Sequence, residues 1–369
     1  MSGIGARKDA HLDICLEHPV ESGAPSGLGR LTLEYDALPE VDLEAIDLTT
    51  TFLGKTLRAP LIVGAMTGGT ERASEINARL ARAAARAGVG MALGSQRAMI
   101  VESSLTTSFA VRQAAPELPL LIGNIGAVQL AYGVTREQIE RAVAAVEADG
   151  LSVHLNPLQE AIQPEGDTRF SGLRVRLQRL AAELPFPVLV KEVGAGISAR
   201  TAAKLATLPL AGVEVAGVGG TSWAKVESYR APAKSVQAAV GRRLAGFGVP
   251  TAEAIRACRA ALPPQMAIVA SGGIRAGLDV ALSLALGATI AALARPLLEA
   301  AQESEDAAYR ALELLIHELR VVCFCTGCAS LADLRKVRVL DASTGRPVRS
   351  SARSSHASDS SPNATTLER

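Results

Sequence analysis

The sequence has few aromatic residues, almost no net charge and no long apolar run. Only 3% of its 369 residues are Phe, Trp or Tyr, and its formal net charge is +1 at pH 7. Proteins that bind nucleic acid use exposed aromatic rings and a basic surface, so we expect no nucleic-acid partner. No charge-free apolar run reaches the about 20 residues that a membrane span needs, and the start, MSGIGARKDAHLD, lacks the apolar core of a signal peptide. These absences predict a cytoplasmic protein with no membrane partner.

The cysteines exclude a disulfide framework. There are five, an odd number, in a chain too long to need such a framework. Cys15 and Cys258 are isolated, whereas CFCTGC at 323–328 holds the other three. A zinc site there would need a fourth ligand, for which His317 is a weak candidate. We therefore interpret the cysteines as structural or incidental.

What the sequence does have is a repeated unit that begins near residue 59. A short apolar run is followed by a loop and then by a stretch rich in Ala, Arg and Glu. Such runs predict parallel strands that are buried on both faces and alternate with amphipathic helices. Eight units over about 240 residues predict a TIM (β/α)₈ barrel, an α/β fold. An open doubly wound sheet is the alternative, although eight strands suit it less. The eight strand candidates are 61–66, 89–95, 120–126, 151–156, 187–194, 212–220, 267–273 and 289–295.

Three segments lie outside the regular repeat. Residues 1–58 read as an N-terminal extension that folds toward the active site, and 59–342 as the barrel that binds cofactor and substrate. Residues 343–369 are rich in Ser, Arg, Thr and Asn and predict a disordered tail. The long connection from Thr221 to Met266 predicts a lid or an extra helix.

Polar residues and glycines concentrate at the carboxyl ends of the predicted strands, where TIM barrels place their active sites. Turn chemistry explains some of the glycines, but it does not explain several polar side chains at one rim. The polar residues in question are Asn124, His154, Gln159, Glu160 and Lys191. The sequence therefore predicts an active site at this end of the barrel.

Glycine loops at the last strands predict a phosphate site. SGGIR (271–275) and ARP (294–296) follow strands seven and eight, which commonly bind phosphate in this fold. Gly272 and Gly273 allow backbone N–H groups to approach phosphate oxygens, and Arg275 or Arg295 can add charge. GGT (219–221) is a second such loop.

Other polar residues suggest a flavin and a phosphorylated substrate. Lys191, inside an apolar strand, could face the N1/O2 edge of a flavin ring. Glu160 could bind Mg²⁺ together with substrate phosphate oxygens. Arg7 and Lys8 in RKDAHLD, with His11 nearby, could clamp a diphosphate if this segment folds over the barrel mouth. Arg97 in GSQR already lies at the rim.

The motifs that follow one another along residues 5–335 resemble those of type 2 isopentenyl-diphosphate Δ-isomerase, the FMN-dependent family. HLNPLQE and GGTSWAKVE are specific to it, and SGGIR is shared with other FMN barrels. The resemblance also covers RKDAHL, MTGG, GSQR, GNIGA, KEVGAGIS and GVPT. Departures are small, such as Glu214 where the family often has Asp.

The resemblance implies a set of site residues. The diphosphate substrate would be held by Arg7, Lys8, Ser95, Gln96, Arg97, His154, Asn156 and Gln159. FMN would be held by Met66, Thr67, Gly68, Ser95, Asn124, Lys191, Thr221, Gly272, Gly273, Arg275, Ala294 and Arg295. Glu160 would bind Mg²⁺.

The resemblance also implies the chemistry. The family interconverts isopentenyl and dimethylallyl diphosphate in isoprenoid biosynthesis, with FMN reduced by NADPH or NADH and with Mg²⁺. The flavin N5 would be the main acid and base, and Gln159 and His154 would assist. A homotetramer or homo-octamer is expected. Two alternatives stay open at this point: another FMN barrel enzyme, such as an α-hydroxy-acid oxidase, and a non-catalytic phosphate-ligand sensor.

Overall fold

The N-terminal extension forms one helix and three short strands. The computed structural model describes residues 3–348. The helix is α1 (Gly3–Glu17), followed by β1 (Leu31–Leu33), β2 (Thr50–Phe52) and β3 (Lys55–Leu57). Strands β2 and β3 pair as an antiparallel hairpin. Phe52 and Leu57 of this hairpin are buried in one cluster with barrel side chains such as Ile62 and Ile122, so the hairpin closes the amino-terminal end of the barrel.

Eight parallel strands close into a barrel, which confirms the predicted fold class. Their order around the barrel is β10-β11-β4-β5-β6-β7-β8-β9, so each strand lies beside its neighbours in sequence and the last pairs with the first. Each strand falls within one of the eight predicted segments or overlaps it closely. The strands are β4 (Leu61–Val63), β5 (Gly90–Ala92), β6 (Leu121–Gly126), β7 (Gly150–His154), β8 (Val188–Lys191), β9 (Gly212–Glu214), β10 (Ala267–Ala270) and β11 (Ile290–Leu293).

Helices surround the barrel, and their ends follow from local sequence. Helix α2 (Glu71–Ala87) begins where the Thr70 side chain accepts a hydrogen bond from Ala73 N, and it ends at Gly88, whose φ is +68°. The remaining helices up to β11 are α3 (Arg97–Val101), α4 (Arg136–Ala145), α5 (Pro157–Ile162), α6 (Leu173–Glu183), α7 (Ala199–Leu205), α8 (Trp223–Arg230), α9 (Val236–Arg243), α10 (Thr251–Ala261) and α11 (Gly277–Ala285). Helices α8 and α9 are the extra helices expected in the long connection, and α8 packs against α1, α5 and α9.

The chain after β11 covers the barrel and returns to the extension. Helices α12 (Arg295–Glu303) and α13 (Glu305–Phe324) are followed by α14 (Leu331–Leu334) and β12 (Val339–Asp341). Strand β12 pairs antiparallel with β1, with Leu33 opposite Val339. Residues 343–348, the start of the predicted tail, form a turn that brings Val348 N to 2.8 Å from Val339 O. The rest of the predicted disordered tail lies outside the described residues.

All five cysteines are free, and Cys325 alone among them is not fully buried. Between residues 3 and 348, no group of three or more His, Cys, Asp or Glu side chains is arranged to hold a metal ion, so the zinc alternative has no support there. No helix in the same part of the chain is long and apolar enough to cross a membrane.

Candidate functional site

A cavity opens at the carboxyl ends of the barrel strands, and residues in or shortly after each of the eight strands line its wall. Helix α1 crosses its mouth and adds side chains such as His11 and Leu12. Eighteen of the residues expected from the sequence line this cavity: Arg7, Lys8, Met66, Thr67, Ser95, Arg97, Asn124, His154, Asn156, Gln159, Glu160, Lys191, Thr221, Gly272, Gly273, Arg275, Ala294 and Arg295.

Two expected residues lie outside the cavity. The Gln96 side chain is only 1% exposed; its Nε2 donates to Ala142 O at 2.9 Å and its Oε1 accepts from Asn124 N at 2.9 Å. Its amide thus joins β6 to α4 instead of facing a substrate. Gly68 lies against the ring of Phe109, where a Cβ atom would be 2.2 Å from the nearest ring carbon. The structure therefore does not bring these two residues to the site.

Three basic side chains meet at the rim, Arg7 and Lys8 from α1 and Arg97 from the start of α3, after β5. Burial and the neighbouring Arg7 lower the pKa of Lys8 from 10.5 to about 7, and its Nζ donates to Ser95 O at 2.8 Å. Burial and the charge of Arg97 lower the pKa of Arg7. Mutual repulsion in a partly desolvated place disfavours the charged forms, and a polyanion would relieve it. This arrangement fits a diphosphate better than a monoanion.

Carboxylates behind the cations hold them in position. Arg97 Nη1 lies 2.7 Å from Asp167 Oδ2, and Gln129 Nε2 donates to the same oxygen at 3.0 Å. Arg7 Nη1 lies 3.8 Å from Glu165 Oε1, and Arg230 Nη2 lies 2.6 Å from the same oxygen. The ion pairs therefore restrain two guanidinium groups that line the cavity.

His154 is a neutral imidazole of defined tautomer. Its Nδ1 lies 2.8 Å from Asn124 Oδ1, an oxygen that can only accept, so Nδ1 carries the proton and Nε2 keeps a lone pair. Burial, Lys191 and Lys8 lower the pKa of His154 to about 3. In the free protein, His154 is therefore a hydrogen-bond acceptor and not an acid at neutral pH.

Glu160 and Asn156 are hydrogen-bonded to each other and both carry oxygens that could bind a metal ion. Glu160 is 6% exposed; its Oε1 accepts from Asn156 Nδ2 at 2.9 Å, and its Oε2 accepts from Asp167 N at 2.7 Å. Burial raises the pKa of Glu160 above its usual value. Asn156 Oδ1 is buried and lacks a hydrogen-bond partner among the described residues. Hard oxygens of this kind fit Mg²⁺, which takes few protein ligands and completes its shell with phosphate oxygens and water.

Glu227 connects three segments and was missed by the sequence reasoning. It is fully buried and accepts from His11 Nε2 at 2.9 Å, from Gln159 Nε2 at 3.0 Å and from Arg230 Nε at 2.8 Å. Burial alone would raise the pKa of Glu227, but these hydrogen bonds and the neighbouring His11 lower it to about 2. Only its place in the GGTSWAKVE motif marked it in the sequence. Its carboxylate fixes the orientation of the Gln159 amide.

Lys191 lies in the cavity wall with its ammonium group buried. Its Nζ donates to Glu192 O at 2.6 Å and lies 3.4 Å from Glu214 Oε1, an oxygen that also accepts from Ser271 Oγ at 2.8 Å. The side chain is nearly inaccessible to water, so water screens its charge only weakly from a group that fills the cavity. This environment fits the electron-rich edge of a flavin ring.

The two glycine loops follow the neighbouring strands β9 and β10 and lie against each other. Gly272 and Gly273 have φ values of +96° and +75°, and a Cβ on Gly220 would be 2.6 Å from Gly273 N. Such close backbone approach leaves room for a phosphate group beside the loops. Arg295 lies next to them, held by Cys15 O at 3.0 Å and by the carboxylates of Glu21 and Glu299. The glycine cradle and the buried Lys191 together fit FMN.

Comparisons with known proteins support an FMN-binding barrel. A sequence model of FMN-dependent dehydrogenases matches residues 26–155 and 144–341. The chain is 49% identical over 336 residues to an isopentenyl-diphosphate delta-isomerase of Deinococcus radiodurans, with 91% of this chain and 97% of that protein covered. It is 47% identical over 331 residues to the protein of the same name from Nostoc sp., with 89% and 94% covered.

Solved structures of flavin oxidases share the fold. A mandelate oxidase in complex with (S)-2-phenylpropionate superposes with a TM-score of 0.63 at 19% identity and covers 89% of this chain and 93% of that one. A lactate oxidase of Pediococcus acidilactici gives a TM-score of 0.63 at 16% identity, with 90% and 86% covered. At these identities the likeness concerns the barrel alone.

Proposed function

The chain belongs to the isopentenyl-diphosphate delta-isomerase family, and from that premise we propose how its cavity interconverts isopentenyl and dimethylallyl diphosphate. The match to FMN-dependent dehydrogenases identifies the FMN-dependent, type 2 form of this isoprenoid enzyme. The observation that carries the proposal is the cluster of Arg7, Lys8 and Arg97 at the rim of a cavity with a glycine cradle and a buried lysine in its walls. A diphosphate at the rim leaves the substrate's apolar end to face the flavin.

FMN would lie between the glycine loops and Lys191. Its phosphate would contact Gly272, Gly273 and Thr221, while Lys191 and Asn124 would hold the ring. When bound in its reduced form, FMN supplies the acid and base that protonates one carbon of the substrate and removes a proton from another. Lys191 would balance the negative charge of the reduced ring.

The diphosphate would be held jointly by the rim cations and Mg²⁺. Arg97 offers a planar fork that can bind phosphate oxygens in pairs, whereas Lys8 acts as a point charge. Glu160 and the unpartnered Asn156 Oδ1 would coordinate Mg²⁺ beside them. His154 Nε2 would accept a hydrogen bond there, or would take up a proton once the anion is bound.

The neutral side chains that the protein places beside the substrate are poor proton donors. Gln159 is a neutral amide whose two ends are held by Asn156 and Glu227, and His154 is neutral. Their roles are therefore to orient the substrate and assist the return of a proton. This supports the flavin as the principal proton donor and acceptor.

Three further properties are part of the proposal. NADPH would reduce the flavin, since the isomerisation itself has no net redox change. A cytoplasmic location is also proposed, because the five cysteines are free thiols, as is usual in a reducing compartment. A homotetramer or homo-octamer is proposed from the family resemblance.

The test is to purify the full chain, look for the yellow colour of oxidised flavin, and assay isomerisation with and without NADPH and Mg²⁺. We expect conversion of isopentenyl diphosphate that requires reduced flavin and consumes no NADPH beyond the initial reduction. Stoichiometric NADPH consumption would contradict the proposal.

An α-hydroxy-acid oxidase is the alternative that shares the barrel. That chemistry needs a histidine base and paired arginines on a carboxylate. Oxygen consumption with a 2-hydroxy acid, in the absence of isomerisation, would favour it over the isomerase.

A further inference from the structure

Glu192 follows Lys191 directly, and the proposed reaction gives its buried carboxylate no role. Its side chain is 5% exposed, and it is not among the residues that line the cavity. One carboxylate oxygen, Oε2, accepts hydrogen bonds from four consecutive backbone N–H groups, at 2.6, 2.8, 2.6 and 3.2 Å. The donors belong to Val193, Gly194, Ala195 and Gly196. Several N–H groups that converge on one anion form a nest, which here is filled by the protein's own carboxylate.

The loop around this nest is tightly confined. Gly194 has a φ of +148°, and a Cβ there would be 2.6 Å from Thr221 O; a Cβ on Gly196, with a φ of +80°, would be 2.4 Å from Val249 O. Val193 and Gly194 line the cavity. The Glu192 carboxylate therefore determines the shape of a wall that a bound cofactor would touch.

The same residue also holds the buried ammonium group. Lys191 Nζ donates to the backbone oxygen of Glu192 at 2.6 Å, and Glu192 N donates to Glu214 O at 3.2 Å. The direction of that carbonyl depends on the peptide plane between Glu192 and Val193. The carboxylate bound to Val193 N fixes this plane, so the side chain of Glu192 orients its own carbonyl toward Lys191.

We propose that Glu192 is a positioning residue, whose carboxylate fixes loop 193–196 and thereby holds the Lys191 ammonium group where it meets the flavin. The inference rests on the proposed function, since it assumes that FMN fills the cavity. Loss of the carboxylate would leave four N–H groups with a weaker acceptor, and charge-assisted hydrogen bonds are roughly twice as strong as neutral ones. The ammonium group would then keep only Glu214 beside it, and its direction would be less well fixed while the barrel remains.

The test is a double-mutant cycle on the full chain, with the dissociation constants of oxidised and reduced FMN as the readout. Lys191→Met is expected to lower the preference for reduced over oxidised FMN by about tenfold, because it removes the cation beside the reduced ring. Glu192→Gln is expected to lower the same preference about threefold in the wild-type background and to leave it unchanged in Lys191→Met.

Two results would overturn the inference. One is an additive effect on the preference in the double variant, and the other is an equal loss of affinity for both oxidation states, which a purely structural loop residue would cause. If Glu192→Gln does not fold, Glu192→Asp replaces it, because Asp keeps the charge but withdraws it by one methylene group. Failure of both to fold would make Glu192 a folding residue and would also overturn the inference.

The outcomes separate this inference from the proposed function. If the wild-type protein binds no FMN, the proposed function itself fails. If the wild-type protein binds FMN and isomerises the substrate but the cycle is additive, only the role of Glu192 fails.

Discussion

Lys8 shows how a single residue of the extension can prepare a binding site. In the free protein its pKa is about 7, because burial and Arg7 disfavour the ammonium form. Below pH 7 Lys8 is charged in both the folded and the unfolded protein, so the burial of its charge lowers the free energy of unfolding by the full amount. This destabilisation disappears as the pH rises from 7 toward 10.5. A bound diphosphate would reverse the effect by favouring the charged form.

The affinity for isopentenyl diphosphate should therefore depend on pH. Above pH 7 binding must also protonate Lys8, so we expect the dissociation constant to rise by up to about tenfold per pH unit. Titration calorimetry from pH 6.5 to 8.5 measures this. Lys8→Gln should bind more weakly and lose this dependence, whereas Lys55→Gln, at an ion pair with Asp149 away from the cavity, should keep it. The same slope in both variants would refute the role of Lys8.

Glu160 is the residue on which the metal assignment depends. We expect Glu160→Gln to lose most of the activity and its dependence on Mg²⁺ concentration, because an amide is a far weaker ligand for Mg²⁺ than a carboxylate. Glu140→Gln on helix α4, at an ion pair with Arg136, is the matched control. Full activity with an unchanged response to Mg²⁺ in Glu160→Gln would remove the assignment.

At the level of elements, the two glycines of the loop after β10 offer backbone groups to the cofactor site. Its glycines have positive φ values, and Gly272 lies so close to Gly217 O that a Cβ would be 2.1 Å from it. The neighbouring atom is backbone and cannot rotate away. The shape of this loop therefore depends on the absence of a side chain.

Gly272→Ala is expected to weaken FMN binding by more than about tenfold, since a displaced loop loses its hydrogen bonds to the phosphate. Gly133→Ala is the control, because its φ is +94° but nothing lies within 4 Å of a Cβ there. Both variants should lose about 1–2 kcal/mol from backbone strain. Fluorescence titration with FMN and thermal unfolding separate the two effects, and equal FMN affinity in both variants would contradict the phosphate role of this loop.

At the level of the whole molecule, Glu227 joins helix α1 of the extension, helix α5 after strand β7 and its own helix α8. Its partners His11 and Gln159 are 216 and 68 residues away in sequence. The carboxylate thereby links α1 at the cavity mouth to Gln159 at the substrate site.

Glu227 should also stabilise the fold in a pH-dependent way. Its pKa is lowered from 4.5 to about 2, so its contribution is complete above pH 4.5 and is lost as the pH falls toward 2. Glu227→Gln should lower the free energy of unfolding by about 3 kcal/mol at pH 7. The difference from wild type should narrow between pH 5 and 3, as measured by urea unfolding. A constant difference over this range, like that expected for the exposed control Glu183→Gln, would contradict the role of Glu227.

The sequence by itself determined the barrel and the end at which the site lies. Apolar runs that alternate with amphipathic helices dictate parallel strands, and parallel strands bring the residues after them to one rim. For this reason Asn124, His154 and Lys191 were predictable from local pattern. Membership of the family was carried by motifs such as HLNPLQE, and the comparisons confirm it.

Only the tertiary structure decided which side chains enter the cavity and what holds them. Gln96 lies in a rim motif, yet its amide packs outside the barrel against Ala142. Glu227 and Glu192 act through partners that local pattern does not specify, and Arg7 and Lys8 reach the site because α1 packs against α8. These outcomes depend on contacts between segments distant in sequence and on the direction of single side chains, which periodicity and motif spacing do not encode.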